Sequence, residues 1–217
     1  MNFSFPHNAH SAHKPYKPYK AHKPNRPHSP HHLLLLLSIF QFFNLSILLS
    51  SCEKAEQPYS NILVRLTLSA TNLIPQLNSS LNNPGEFCTI TAHNNTYVFH
   101  SPGLREDYVH ELTELERKSN FVLGLSGLIV GTPIMAEQLS TQANVVCYDL
   151  ACANCYEEAS ITRNLTLRES QRAECSRCGR RYDLNTQGIV IDGPTGRSLF
   201  RYRATFYPSG NTLTVSN

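Results

Sequence analysis

Residues 175–202 have the sequence CSRCGRRYDLNTQGIVIDGPTGRSLFRY, in which a Cys-x-x-Cys pair is followed by short apolar runs broken by Gly and Pro. A second pair, Cys152-Ala-Asn-Cys155, lies upstream, with 19 residues between the two pairs. Such pairs predict a metal site, because each turn points two thiolates at one centre. We therefore expect Cys152, Cys155, Cys175 and Cys178 to be metal ligands. Two disulfides are the alternative in an oxidising compartment.

Short apolar runs with turn residues between them continue through residues 59–217 and predict an all-β fold, a small sandwich or barrel. The runs lie at 62–68, 86–92, 96–99, 121–131, 145–150, 188–191, 198–203, 204–207 and 213–215. One segment differs from this pattern. Residues 104–118 are rich in charge and place Val109, Leu112 and Leu115 at threefold spacing, which favours a short helix.

The net charge of +3 on this 217-residue chain belongs to its N-terminal segment. Residues 1–32 contain seven of the ten His, five basic residues and no acid, and their Pro-rich sequence predicts disorder. Residues 52–217 contain 14 Lys and Arg against 16 Asp and Glu, a net charge of −2. This slightly negative net charge excludes a basic nucleic-acid-binding domain in residues 52–217. A single long apolar stretch also excludes a multi-pass membrane protein.

That apolar stretch, residues 33–51 (LLLLLSIFQFFNLSILLSS), follows the basic segment and ends in small residues before Cys52, the order of a signal peptide. The ending Leu49-Ser50-Ser51-Cys52 resembles the lipobox of bacterial lipoproteins. The resemblance implies cleavage before Cys52, acylation of that residue, and a body anchored to a membrane of the bacterial cell envelope, outside the cytoplasm. Residues 52–58 are then a tether. An uncleaved single-span anchor is the alternative.

Residues 152–215 resemble a Rieske iron–sulfur domain. The stretch 175–183, CSRCGRRYD, is similar to the family's C-x-x-H-G-S-x-F-D sequence, and residues 192–202, DGPTGRSLFRY, match its Gly-Pro…Leu…Tyr ending. The resemblance implies an antiparallel β base that carries a rubredoxin-like metal-loop subdomain at about residues 147–185. It also implies that the two Cys loops lie side by side at one tip.

Two positions depart from the family's pattern, in which each loop supplies one Cys and one His to the cluster. Cys178 stands where the second loop has His, and Asn154 stands where the first loop has it, with Cys155 following. No His occurs between residues 147 and 217. The resemblance then implies a [2Fe–2S] cluster on four Cys and electron transfer to an unknown redox partner. The alternative is zinc on the same Cys, in an accessory or binding module of the envelope, and the lack of an Arg-Arg export signal favours it.

Two further Cys, Cys88 and Cys147, lie in predicted strands. These are the two Cys that the lipid and metal assignments leave over. In an oxidising compartment they could form a disulfide with each other, and two buried free thiols are the alternative. We expect Arg177, Arg180 and Arg181, beside the second Cys pair, to be solvated, and the alternative is that their positive charge partly offsets the thiolates. The chain has no credible catalytic grouping, so an enzymatic role, as an oxidoreductase component, is the third hypothesis.

Overall fold

The computed structural model describes residues 58–135 and 145–217, which belong to one compact unit, Glu56–Asn217. Within these ranges the chain forms two antiparallel sheets, of nine and four strands, with three short α-helices. The predicted all-β class is therefore confirmed. In chain order the elements are β1 (Val64–Leu68), α1 (Pro75–Asn82), β2 (Phe87–His93), β3 (Thr96–His100), β4 (Tyr108–Glu111), α2 (Glu114–Lys118), β5 (Val122–Leu123), β6 (Leu128–Gly131), β7 (Val146–Asp149), α3 (Ala153–Ala159), β8 (Thr166–Arg168), β9 (Arg172–Glu174), β10 (Arg181–Asp183), β11 (Ile189–Asp192), β12 (Arg201–Tyr207) and β13 (Thr212–Ser216).

The larger sheet has the strand order β4-β3-β2-β6-β7-β12-β13-β1-β5. In β1 the side chains of Val64, Leu66 and Leu68 are buried and the intervening ones are exposed, as expected for a strand with one face on a core. Helix α1 contributes Leu77 and Leu81 to the same core. The larger sheet thus has its own hydrophobic core, closed in part by α1.

The smaller sheet, in the order β11-β10-β9-β8, is an insertion in the larger one. The chain leaves the larger sheet at the end of β7 and returns to it at β12, which pairs directly with β7. Tyr182 and Leu184 of the insertion pack in a second core with Tyr148 of β7. The Tyr148 hydroxyl also donates to the Leu184 carbonyl at 3.2 Å. The insertion continues to Asp192, beyond the predicted limit at residue 185.

A buried carboxylate fixes the point at which the chain leaves β7. Asp149 accepts hydrogen bonds from the Tyr202 hydroxyl at 2.6 Å and from the N–H groups of Leu125 and Ala151 at 2.7 Å each. Burial raises the pKa of this carboxyl above 3.8, although these hydrogen bonds act in the opposite direction. The first Cys loop, residues 152–155, follows Asp149 closely in the chain. The hydrogen bonds of Asp149 therefore anchor one side of the candidate site.

The helix predicted over 104–118 is much shorter than expected. Tyr108–Glu111 is a strand, because its backbone pairs with β3, and only Glu114–Lys118 is helical. The helix begins there because Thr113 and Glu116 form a capping box, in which each side chain accepts from the other residue's N–H. The two strands predicted at 198–203 and 204–207 are likewise a single strand, β12.

Candidate metal centre

The first Cys pair lies at the start of helix α3. Cys152 is the residue before the helix, with φ −64° and ψ 112°, and Cys155 lies in its first turn. The Cys152 N–H donates to the Arg163 carbonyl at 2.8 Å, which ties this turn to the chain that enters β8. Both side chains are buried. The change from extended to helical backbone lets both thiols face the same centre.

The second Cys pair forms the turn of the hairpin between β9 and β10. The Cys175 N–H donates to the Arg180 carbonyl at 3.0 Å, and the Gly179 N–H donates to the Cys175 carbonyl at 3.0 Å. Gly179 has φ +73°, a conformation that glycine adopts at little cost. Cys175 is buried and Cys178 is partly exposed. One hairpin tip therefore presents two thiols that are three residues apart in the chain.

The four predicted ligands converge. Their sulfur atoms all lie within 4.8 Å of one another. Cys152 Sγ lies 3.7 Å from Cys178 Sγ, and Cys155 Sγ lies 3.6 Å from Cys175 Sγ. A tetrahedral zinc–thiolate site with bonds of about 2.3 Å has sulfur–sulfur edges of about 3.8 Å. The four Cys are thus placed closely enough to hold a metal ion.

Behind the first Cys pair, Asn154 and Tyr182 form a hydrogen-bonded chain that ends at the sulfur of Cys152. The Tyr182 hydroxyl lies 3.1 Å from Cys152 Sγ, and Asn154 Nδ2 donates to the hydroxyl oxygen at 2.9 Å. Because that oxygen accepts from Asn154, its hydrogen is free to point at the sulfur. Asn154 also accepts from the Arg197 N–H at 3.0 Å and donates to the Arg197 carbonyl at 2.9 Å. Asn154, in the position where the family resemblance implies a His ligand, links α3 to the loop before β12.

Arg180 is buried beside the second pair, contrary to the expectation that the neighbouring arginines are solvated. Its side chain is 6% exposed. Nε donates to the Pro194 carbonyl at 3.0 Å and Nη2 to the Thr195 carbonyl at 2.9 Å, while Nη2 also pairs with Glu158 at 2.7 Å. The guanidinium also lies near enough to Cys178 to affect the pKa of that thiol. It therefore joins the hairpin tip, helix α3 and the loop before β12 around the thiols.

The thiols differ in their pKa values. Burial raises the pKa of Cys178, but hydrogen bonds from the Arg180 backbone and guanidinium outweigh it and bring the pKa to about 7, below the usual 9.0. Burial raises the pKa of Cys155, and it raises that of Cys152 despite the hydrogen bond from Tyr182. Metal binding requires thiolates, so the metal must displace protons from the more buried ligands.

Of the two alternatives for Cys88 and Cys147, a disulfide or two buried free thiols, the structure has the free thiols. Cys88 on β2 and Cys147 on β7 each pair with Val130, which lies on β6 between them. Two strand spacings of about 4.8 Å separate their backbones, well beyond the ~7 Å limit for a disulfide. Burial raises the pKa of Cys88 to about 12, so this thiol stays protonated.

Cys52, the predicted lipidation site, and the apolar stretch 33–51 lie outside the described residues. Within residues 58–135 and 145–217, no helix is long and apolar enough to cross a membrane. No protein-family model and no curated protein matches the chain.

Proposed function

We propose that this protein is a metal-binding module of the cell envelope in which one zinc ion joins two loops of a Rieske-like scaffold. Cys152, Cys155, Cys175 and Cys178 would be the ligands. The observation that carries the proposal is the convergence of four sulfur atoms, from a helix start and a hairpin tip, within 4.8 Å of one another.

The spacing of the sulfur atoms favours a single ion over a two-iron cluster. In a [2Fe–2S] cluster two irons and two bridging sulfides lie between the thiolate pairs, so the pairs stand at opposite ends of the cluster. Here all four sulfur atoms lie within 4.8 Å of one another, so no division into two pairs leaves the pairs at opposite ends of a cluster. The two shortest distances, 3.7 Å and 3.6 Å, are close to the edge of a tetrahedron of thiolates around one ion.

The donor set also favours a structural role. Four protein thiolates fill all four positions of a tetrahedral zinc ion, so no position remains for water or substrate. Three of the four ligands are buried, and the contact with the Tyr182 hydroxyl holds the sulfur atom of Cys152 in place. The metal would supply folding energy to an insertion whose four strands are only three or four residues long.

The Rieske-like scaffold is supported by the placement of the two loops. The smaller sheet is inserted between β7 and β12, neighbouring strands of a larger antiparallel sheet. Its two Cys loops lie side by side, the arrangement that the sequence resemblance implies. The replacement of both His ligands would then have converted a cluster site into a zinc site on the same loops.

Metal analysis of protein purified without oxygen tests the proposal. We expect one zinc per chain, no acid-labile sulfide and no visible absorption. Cys178→Ser should lose the metal, because one of four ligands is gone. Cys88→Ala removes a buried free thiol in the other core and should keep the metal, so it is the matched control. Two irons and two sulfides per chain would instead support the electron-carrier hypothesis and overturn the zinc proposal.

We further propose that Cys52 is acylated and anchors the domain to a membrane of the envelope. The sequence supports this, since a basic segment and an apolar stretch end in Leu-Ser-Ser immediately before Cys52. Cys52→Ser should move the protein from the membrane fraction to the soluble fraction, whereas Cys88→Ala should not. Retention of the Cys52→Ser protein in the membrane would favour an uncleaved anchor.

A further inference from the structure

Two sulfur–sulfur contacts below 4 Å run between the two Cys loops: Cys152 to Cys178 at 3.7 Å and Cys155 to Cys175 at 3.6 Å. We propose that, when no metal is bound, these thiols form two disulfides in this pairing. The centre is then a site of covalent modification that holds the loops together in the metal's place. This inference rests on the proposed function only in that zinc and the disulfides compete for the same sulfur atoms.

The movement needed is small. A disulfide has a sulfur–sulfur bond of about 2.05 Å, so each pair must approach by about 1.6 Å. Both contacts join the start of helix α3 to the tip of the β9–β10 hairpin, and these elements are already tied together by the ion pair between Arg180 and Glu158. Rotation of the Cys side chains can cover that distance without separating the loops.

The two pairs differ in how easily an oxidant reaches them. Cys178 is partly exposed, whereas its partner Cys152 is buried. Cys175 lines a surface cavity of about 310 Å³, together with Ser176 and Gly179. The Cys152–Cys178 pair therefore has one sulfur near solvent, where a donor can react, and one buried sulfur that can resolve the intermediate. Cys155 and Cys175 are both buried, so a donor must enter from the cavity to reach Cys175.

The chemistry is thiol–disulfide exchange with a small-molecule disulfide as the oxidant. The Cys178 thiolate attacks one donor sulfur, forming a mixed disulfide and releasing the first donor thiol. The Cys152 thiolate then attacks Cys178 Sγ, forming the Cys152–Cys178 bond and releasing the second donor thiol. One donor disulfide is thus reduced for each protein disulfide formed, and the two Cys protons end on the donor thiols. Cys175 and Cys155 react in the same way with a second donor molecule.

This pairing constrains the chain more than pairing within each Cys-x-x-Cys turn would. The disulfides between loops close segments of 26 and 20 residues, the sequence separations of the two contacts. Bonds within a turn would span only three residues and would leave the two loops free to separate. Because the stabilising effect of a disulfide grows with the length of the closed loop, the inter-loop pairing protects the insertion better.

The chain's own sequence makes the pairing measurable, because Arg177 lies between Cys175 and Cys178. The purified full-length protein is stripped of metal with a chelator, treated with oxidised glutathione, alkylated and digested with trypsin. Cys175 is then in AECSR (173–177) and Cys178 in CGR (178–180), while Cys152 and Cys155 share peptide 119–163. We expect both small peptides to be disulfide-linked to peptide 119–163. AECSR linked only to CGR, or no linkage, would overturn the inference.

Single substitutions assign the partners. In Cys152→Ala we expect peptide 119–163 to lose its link to CGR and keep its link to AECSR, and Cys155→Ala should give the reverse. Cys147 lies in the same long peptide, so Cys147→Ala is the control and should leave both links intact. Exchange of the two partners in these variants would contradict the proposed pairing.

The two proposals fail separately. If the native protein contains zinc but its metal-free form links AECSR to CGR, the disulfide inference falls and the zinc proposal stands. If the native protein contains no metal but the inter-loop links form, the zinc proposal falls and the disulfide inference stands.

Discussion

Replacement of Arg180 by Met should destabilise the metal-loaded domain strongly, although Arg180 is not itself a ligand. Met keeps most of the apolar volume of the side chain but removes the guanidinium. The substitution therefore breaks the hydrogen bonds to the Pro194 and Thr195 carbonyls, at 3.0 Å and 2.9 Å. The loop before β12 would lose its main polar attachment to the hairpin tip.

The expected loss in the free energy of unfolding is about 3 kcal/mol. Each hydrogen bond from the buried charge to a carbonyl contributes about 1.5 kcal/mol, the low end of the range, because Pro194 and Thr195 are exposed. The pair with Glu158 adds little, since the Glu158 side chain is 57% exposed and remains solvated when Arg180 is removed.

Urea unfolding of the zinc-loaded protein measures this loss. Arg177→Met is the matched control, because Arg177 lies in the same turn but is exposed, and it should change the free energy by less than about 0.5 kcal/mol. If Arg180→Met and Arg177→Met unfold at the same urea concentration with the same slope, the reasoning about the buried guanidinium is refuted.

Three further outcomes are expected. Asn154→Ala removes the hydrogen bonds to Tyr182 and to both backbone groups of Arg197, so thermal or urea unfolding should give a loss of about 2 kcal/mol, and an unchanged stability would contradict the proposed link. The pKa of Glu116 is lowered below 4.5, because hydrogen bonds from Thr113 outweigh the opposing effect of burial. Its stabilising effect is therefore present above pH 4.5 and is lost as the pH falls through the folded-state pKa, so the stability difference between wild type and Glu116→Gln should shrink in acid and not grow. With a thiol reductant present to prevent disulfide formation, removal of the metal by a chelator should lower the melting temperature by at least about 10 °C, and a variant that lacks one Cys ligand should be insensitive to the chelator.

The sequence was informative where the physical signal is local. A Cys-x-x-Cys turn has the same geometry wherever it occurs, so Cys152, Cys155, Cys175 and Cys178 could be grouped before any fold was known. The strands were also recognisable, because alternation in segments such as β1 follows directly from the pleat of a strand.

The remainder depends on contacts between distant parts of the chain. Arg180 is two residues from a ligand, but its burial results from the loop at 194–195, which only the fold brings over it. The role of Asn154 depends in the same way on Arg197, 43 residues away. The sequence left open whether Cys88 and Cys147 form a disulfide, because strand order decides their separation.

Extended X-ray absorption fine structure, measured at the edge of the bound metal, is the most direct test of whether four thiolates bind one ion. We predict a zinc edge with a single shell of four sulfur atoms at about 2.3 Å and no second metal within bonding range. An iron edge with a short metal–metal shell, or zinc bound mainly by oxygen and nitrogen, would contradict the conclusion that four thiolates close around one ion.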